Sequence, residues 1–104
     1  MQPGITDLFG ANSTLSGTPK ILAIPLTSLP ALTGSNPTAL EVYAAVVSYA
    51  HTWLNANTDA SVLATSDVTI SSPITRNGVP KTQFQFSERF YGSYAAPIFD
   101  PNAV

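Results

Sequence analysis

The sequence predicts an α+β fold: one long helix packed on a small antiparallel sheet in β-α-β-β order, with extended arms at both ends. Three observations carry that reading. A capped run with helical spacing follows residue 36, a run of period two extends from residue 67 to 91, and both ends are broken by proline and glycine. Residues 1–19 and 92–104 are then the arms, and residues 20–91 a single domain. The alternative is a mainly β, sandwich-like fold in which the leucine-rich region and residues 60–66 add strands.

In chain order, residues 1–19 hold Pro3, Gly4, Gly10, Gly17 and Pro19, with Ile5, Leu8 and Phe9 as the substantial apolar side chains after Met1. Two accounts are open: a disordered terminus, or an arm whose Leu8 and Phe9 dock on the domain or a neighbour. Residues 20–24 form a short apolar run between Pro19 and Pro25, which suits a strand and disfavours a helix. Leu26, Leu29 and Leu32 follow around Pro30, in an extended or turned segment that still offers leucines to a core.

The helix begins with Asn36 as N-cap and Pro37 at the first helical position, or with Thr38 and Glu41 as an alternative capping box. Leu40, Tyr43, Ala44, Val47, His51 and Leu54 share one face, while Val42, Val46, Tyr49 and Trp53 share its neighbour. Covering one small sheet takes a single stripe. The second implies burial by the leucine-rich loop, a terminal arm or another subunit. Asn55, Asn57 and Asp59 end the helix, and residues 59–66 leave room for one short helical turn.

From Asp67, Val68, Ile70 and Ile74 fall on one side of a strand; from Val79 to Tyr91, Phe84, Phe86 and Phe90 do the same. A two-residue Asn77-Gly78 turn sets Ile70 opposite Gln85 and sends the apolar sides to opposite faces. A three-residue loop with Gly78 left-handed, as a G1 bulge, sets Ile70 opposite Phe84 and Val68 opposite Phe86. That register is the expected one. The C-terminal segment has no period, yet carries Tyr94, Ile98 and Phe99.

Composition narrows function. The 104 residues include 10% charged side chains, a net charge of −2, no cysteine, and 23 serines and threonines; about 25% charged is usual. Lys20, Arg76, Lys81 and Arg89 are the only cations and make no basic stripe, so no nucleic-acid partner is expected. Thiolate metal sites and cysteine nucleophiles are excluded. No basic residue precedes Lys20, so the start of a secretory signal is missing, and no stretch reads as a membrane span. A domain of this length buries only about two-thirds of its chain's surface, which leaves a small core.

No constellation points to catalysis, and neither cofactor nor metal is expected. His51 is the single histidine, with Val47 and Asn55 one turn away on either side, which is not a ligand cluster. Ser, His51 and Asp occur without a nucleophile elbow. Of the six acids, Asp7, Glu41, Asp59, Asp67, Glu88 and Asp100, most have capping or turn roles. Glu88 falls between Phe86 and Phe90 on the apolar side. Either the strand ends there and the carboxylate reaches solvent, or it is a buried acid paired with Arg89, Arg76 or a neighbouring chain. The aromatic series Phe84, Phe86, Phe90, Tyr91 and Tyr94 reads as core packing ahead of base or sugar stacking.

The expected function is therefore non-enzymatic. The chain reads as a homo-oligomeric structural subunit, most simply a small bacteriophage virion protein, a capsid cement or decoration protein or a tail or connector component. Its partners are then copies of itself and other structural subunits, and its location the virion, or otherwise the cytoplasm. Weak charge offers little repulsion against association, and the ends carry isolated apolar anchors. The residues expected at subunit contacts are Leu8, Phe9, Tyr49, Trp53, Tyr91, Tyr94, Ile98 and Phe99. The second expectation is a small module binding a peptide or glycan through a strand edge or aromatic patch; a hydrolase centred on His51 is the third and weakest.

Overall fold

A short turn of helix, α1 (Ile5–Phe9), stands where an extended arm was expected. The computed structural model describes residues 2–92 and 98–104, and the chain divides into two units, residues 1–62 and 63–104. Asp7 Oδ2 accepts from Gly4 N at 2.8 Å and opens α1; Gly10, at φ 114°, closes it. A Cβ on Gly10 would lie 2.7 Å from Ser28 Cβ, so only glycine fits this approach. Ser13 and Ser28 are buried beside it. Ser13 Oγ donates to Gly10 O at 2.7 Å, and Ser28 Oγ accepts from Asn12 N at 3.2 Å.

Strands β1 (Thr14–Ser16) and β2 (Ile21–Ala23) pair antiparallel, with Leu15 opposite Leu22. The strand expected at 20–24 is thus present, and its partner comes from the segment read as an arm. These residues are ordered by polar contacts and a positive-φ glycine, signals that apolar periodicity does not carry. A single 3-10 turn, Leu26–Ser28, leads to Leu29, which is 1% exposed.

Helix α2 (Ala39–Ala56) starts at Thr38, not Asn36. Thr38 Oγ1 accepts from Glu41 N at 3.1 Å while Glu41 Oε1 accepts from Thr38 N at 2.8 Å, satisfying two donors reciprocally. That box outcompetes a one-sided cap at Asn36. The helix stops at Asn57, whose Nδ2 donates to Trp53 O at 2.8 Å. Ala45 and Leu54 are buried; nine residues is two and a half turns, so they lie on opposite sides of the helix. α1 packs on α2, so the N-terminal segment supplies part of the cover that the wide apolar sector demanded.

In the second unit, β3 (Ala64–Ile70), β4 (Ile74–Arg76), β5 (Val79–Lys81) and β6 (Phe84–Phe90) build one long hairpin. The expected register holds, with Ile70 opposite Phe84 and Val68 opposite Phe86. The turn differs from the three-residue loop expected. Arg76 pairs with Val79 across a two-residue turn in which Asn77 (φ 53°) and Gly78 (φ 76°) are both left-handed. The resulting offset of one residue is absorbed lower down, where residues 71–73 face residues 82 and 83. The extra residue sits beside Pro73, which has no N–H for a ladder to lose. Strand β3 begins at residue 64, where a short helical turn was considered; the turn that precedes it is set by Asp59 Oδ1 accepting from Ser61 N at 2.8 Å.

The architecture is α+β, with one long helix and antiparallel strands in small sheets. Its element order is α-β-β-α-β-β-β-β, longer than β-α-β-β because residues 1–19 contribute an element of each kind and the bulge divides both hairpin strands. At the C-terminus, Pro101–Ala103 form one 3-10 turn. Among the described residues, no helix is long and apolar enough to cross a membrane.

Candidate functional site

Two surfaces stand out, one in each unit. In residues 1–62 a groove of about 510 Å³ runs along α2. Its floor is the stripe Ala45, Ser48, Tyr49, Thr52, Trp53 and Ala56, which recurs at three and four residues and so lies on one side of the helix. Asp7 of α1 and residues 29–31 form the walls. The groove exists because Leu29 is buried while Pro30 and Ala31, next in the chain, stay exposed, so that the loop rises beside the helix. Asp7 is the one carboxylate among the lining residues described, and the polar groups otherwise are the hydroxyls of Ser48, Tyr49 and Thr52 and the indole N–H of Trp53.

In residues 63–104 the surface is a face of the β3–β6 ladder. Alternation places Ala64, Ser66, Val68, Ile70, Phe84, Phe86, Glu88 and Phe90 together, and Thr65, Asp67, Thr69, Gln85, Ser87 and Arg89 on the reverse. The reverse face is polar throughout, and Arg89 forms an ion pair there with Asp67. On the apolar face Ile70 is 62% exposed and Phe84 59%, and Phe90 and Val68 are exposed as well. The expectation that the phenylalanines pack into a core is corrected for Phe84 and Phe90, because the described residues of this unit do not bury either one. Phe90 does meet Phe99, with ring centroids 5.7 Å apart.

Glu88 follows neither expectation in full. The strand continues past it to Phe90, and its carboxylate, on an exposed residue, accepts from Ser66 Oγ at 2.7 Å. Ser66, directly opposite, is 4% exposed. Arg89 cannot serve Glu88, since successive side chains point to opposite faces.

No family model matches the chain, and neither does any curated protein or solved structure.

Of the residues expected at contacts, Tyr49 and Trp53 come together in the groove, and Leu8 and Phe9 are half-buried on α1. Tyr91 is exposed, and its hydroxyl lies 3.2 Å from Thr65 Oγ1. Ile98 and Phe99 are exposed, Phe99 against Phe90. Tyr94 lies outside the described residues. Sequence reasoning missed Asp7 and residues 29–31 as groove walls, and Val68, Ile70 and Phe84 as surface. The groove walls carry no sequence signal, because they meet the helix only in three dimensions.

The carboxyls with a displaced pKa have structural causes. The backbone N–H of Thr38, then its side chain, holds Glu41 below the usual carboxylate range; the backbone N–H of Ser61, then its side chain, does the same for Asp59. Both are capping or turn groups. Among the described residues no three His, Cys, Asp or Glu side chains cluster as a metal site.

Proposed function

We propose that this chain is a non-enzymatic structural subunit of a large assembly, which completes the burial of its apolar surface against neighbouring subunits. One observation carries this reading: the apolar face of the β3–β6 hairpin, with Val68, Ile70, Phe84 and Phe90, is exposed. Contiguous apolar surface of this kind marks an interaction site. A two-stranded hairpin is marginal in water without packing on one side, so the same surface that recruits a neighbour is stabilised by it. The reverse face of Thr, Ser, Gln and one ion pair suits solvent or a weakly polar contact.

The assembly we favour is a bacteriophage virion, with the chain as a cement or decoration protein or a tail or connector component. Small size, few ions and a surface rich in serine and threonine support it, since neutral groups pack between subunits without the desolvation cost of buried charge. Sedimentation of the purified chain over a wide concentration range, with electron microscopy of native material, tests the reading. Discrete oligomers or incorporation into a particle are expected. A well-folded monomer at high concentration, absent from any particle, overturns it.

The groove lined by Tyr49 and Trp53 is the observation that favours the second reading, a peptide- or glycan-binding module. Under that reading the chain is monomeric and a free ligand fills the groove.

A further inference from the structure

We infer that the groove on α2 is filled by the tip of the β4–β5 hairpin from a second copy of the chain. The inference rests on the structural-subunit reading and names the partner and the contact. Charge is distributed unevenly between the two units. Residues 63–104 hold Arg76, Lys81 and Arg89 against Asp67, Glu88 and Asp100, a formal balance, whereas residues 1–62 hold Lys20 alone against Asp7, Glu41 and Asp59. Arg89 is paired with Asp67, so the two cations left in residues 63–104, Arg76 and Lys81, both flank the hairpin turn. Neither side chain has a hydrogen bond or ion pair among the described residues.

The tip and the groove are complementary in kind. The tip presents exposed Ile74 and Val79 on the same face as its two cations; the groove presents Tyr49 and Trp53 with one carboxylate, Asp7. Asp7 Oδ2 accepts from Gly4 N, and a carboxylate has capacity for further donors. An arginine fork can meet that capacity while its stem and the neighbouring valine lie on the aromatic rings. A volume of about 510 Å³ accommodates a few side chains, within the ~300–1,000 Å³ range of enclosed ligand sites. The tip is also preorganised, because a turn with two left-handed residues and short paired strands has little freedom left to lose on docking. A groove on one copy taking a tip from another closes a two-fold dimer where the exchange is reciprocal and propagates into rings or filaments where it is not.

The chain has no cysteine, so single cysteines report without background. Full-length Ser48→Cys, in the groove, and Val79→Cys, on the face of the tip that carries Arg76 and Lys81, are mixed and oxidised. Cross-links joining one variant to the other are expected to dominate over links within either variant alone. Trp53 is the single tryptophan, so its emission shifts to the blue as concentration rises and the groove fills. Arg76→Glu with Lys81→Glu, both at exposed positions, leaves the fold intact by circular dichroism and raises the concentration at the midpoint of that shift about tenfold. Association by sedimentation with unchanged Trp53 emission and no mixed cross-link overturns the inference while leaving the structural-subunit reading in place. A chain monomeric at every concentration overturns both. A Ser48→Cys, Val79→Cys double variant that closes within one copy at high dilution overturns the second-copy assignment, and so does saturable filling of the groove by a free peptide or glycan.

Discussion

Residues 1–62 and residues 63–104 solve the problem of a small chain in different ways. The first unit buries Leu29, Ala45, Leu54 and Val62 and secures the surroundings with buried, hydrogen-bonded Ser13 and Ser28. Among the described residues of the second, only Ser66 is buried. Its order comes from backbone pairing, a left-handed turn and alternation, which specify register without supplying a core. The contrast teaches that a well-specified ladder is not a stable layer until something covers its apolar face.

The largest test of this contrast is Phe84→Asp. The position is exposed, so the isolated chain folds as before, but a charge placed in an interface without a partner costs several kcal/mol. Sedimentation is expected to show assembly lost. If assembly persists unchanged, the β3–β6 face is not a contact and the two units differ for another reason.

Next comes a paired measurement. Leu54→Ala removes a buried side chain and is expected to lower unfolding free energy by about 2–5 kcal/mol, whereas Ile70→Ala in the monomeric chain costs less than about 0.5 kcal/mol because the side chain is exposed. Denaturant titration at low concentration reads both, and equal losses would erase the distinction. Gly10→Ala is expected to cost about 1–3 kcal/mol, from left-handed backbone strain and the approach to Ser28. Thermal unfolding followed by helix ellipticity reads that loss, and a neutral result would show that Ser28 yields.

Thr38→Ala is expected to cost about 1 kcal/mol, and it carries a pH signature. Glu41 is held below its ordinary range when folded, so its contribution is present above the unfolded value and is lost as pH falls through the folded one. Thr38→Ala keeps the larger cause, the backbone N–H, so the acid limb of a helix-ellipticity titration should shrink only in part in Thr38→Ala and should flatten in Glu41→Gln, across the acidic side of the carboxylate range. An unchanged acid limb would assign the loss to other groups, Asp59 among them.

Much of the fold was legible because it is written in local periods. Helical spacing with Thr38 and Glu41 named the helix and its alternative start. Parity between Val68 and Phe86 fixed the hairpin register even though the turn was assigned one residue too long, since a bulge beside Pro73 has the same effect on register as a longer loop. The candidate site was less legible. Tyr49 and Trp53 could be named from the helix face, but Asp7 and residues 29–31 reach them only after the chain doubles back.

Sequence alone thus determined which side chains share a face, because that depends on the backbone period of residues a few positions apart. Whether a face is covered was decided by tertiary structure. It brought α1 onto α2, elements at least 30 positions apart, seated Gly10 and Asn12 against Ser28 with no pattern in common, and left Phe84 and Ile70 in water. Burial is a property of what arrives from elsewhere in the chain or from another molecule, and no local period encodes that.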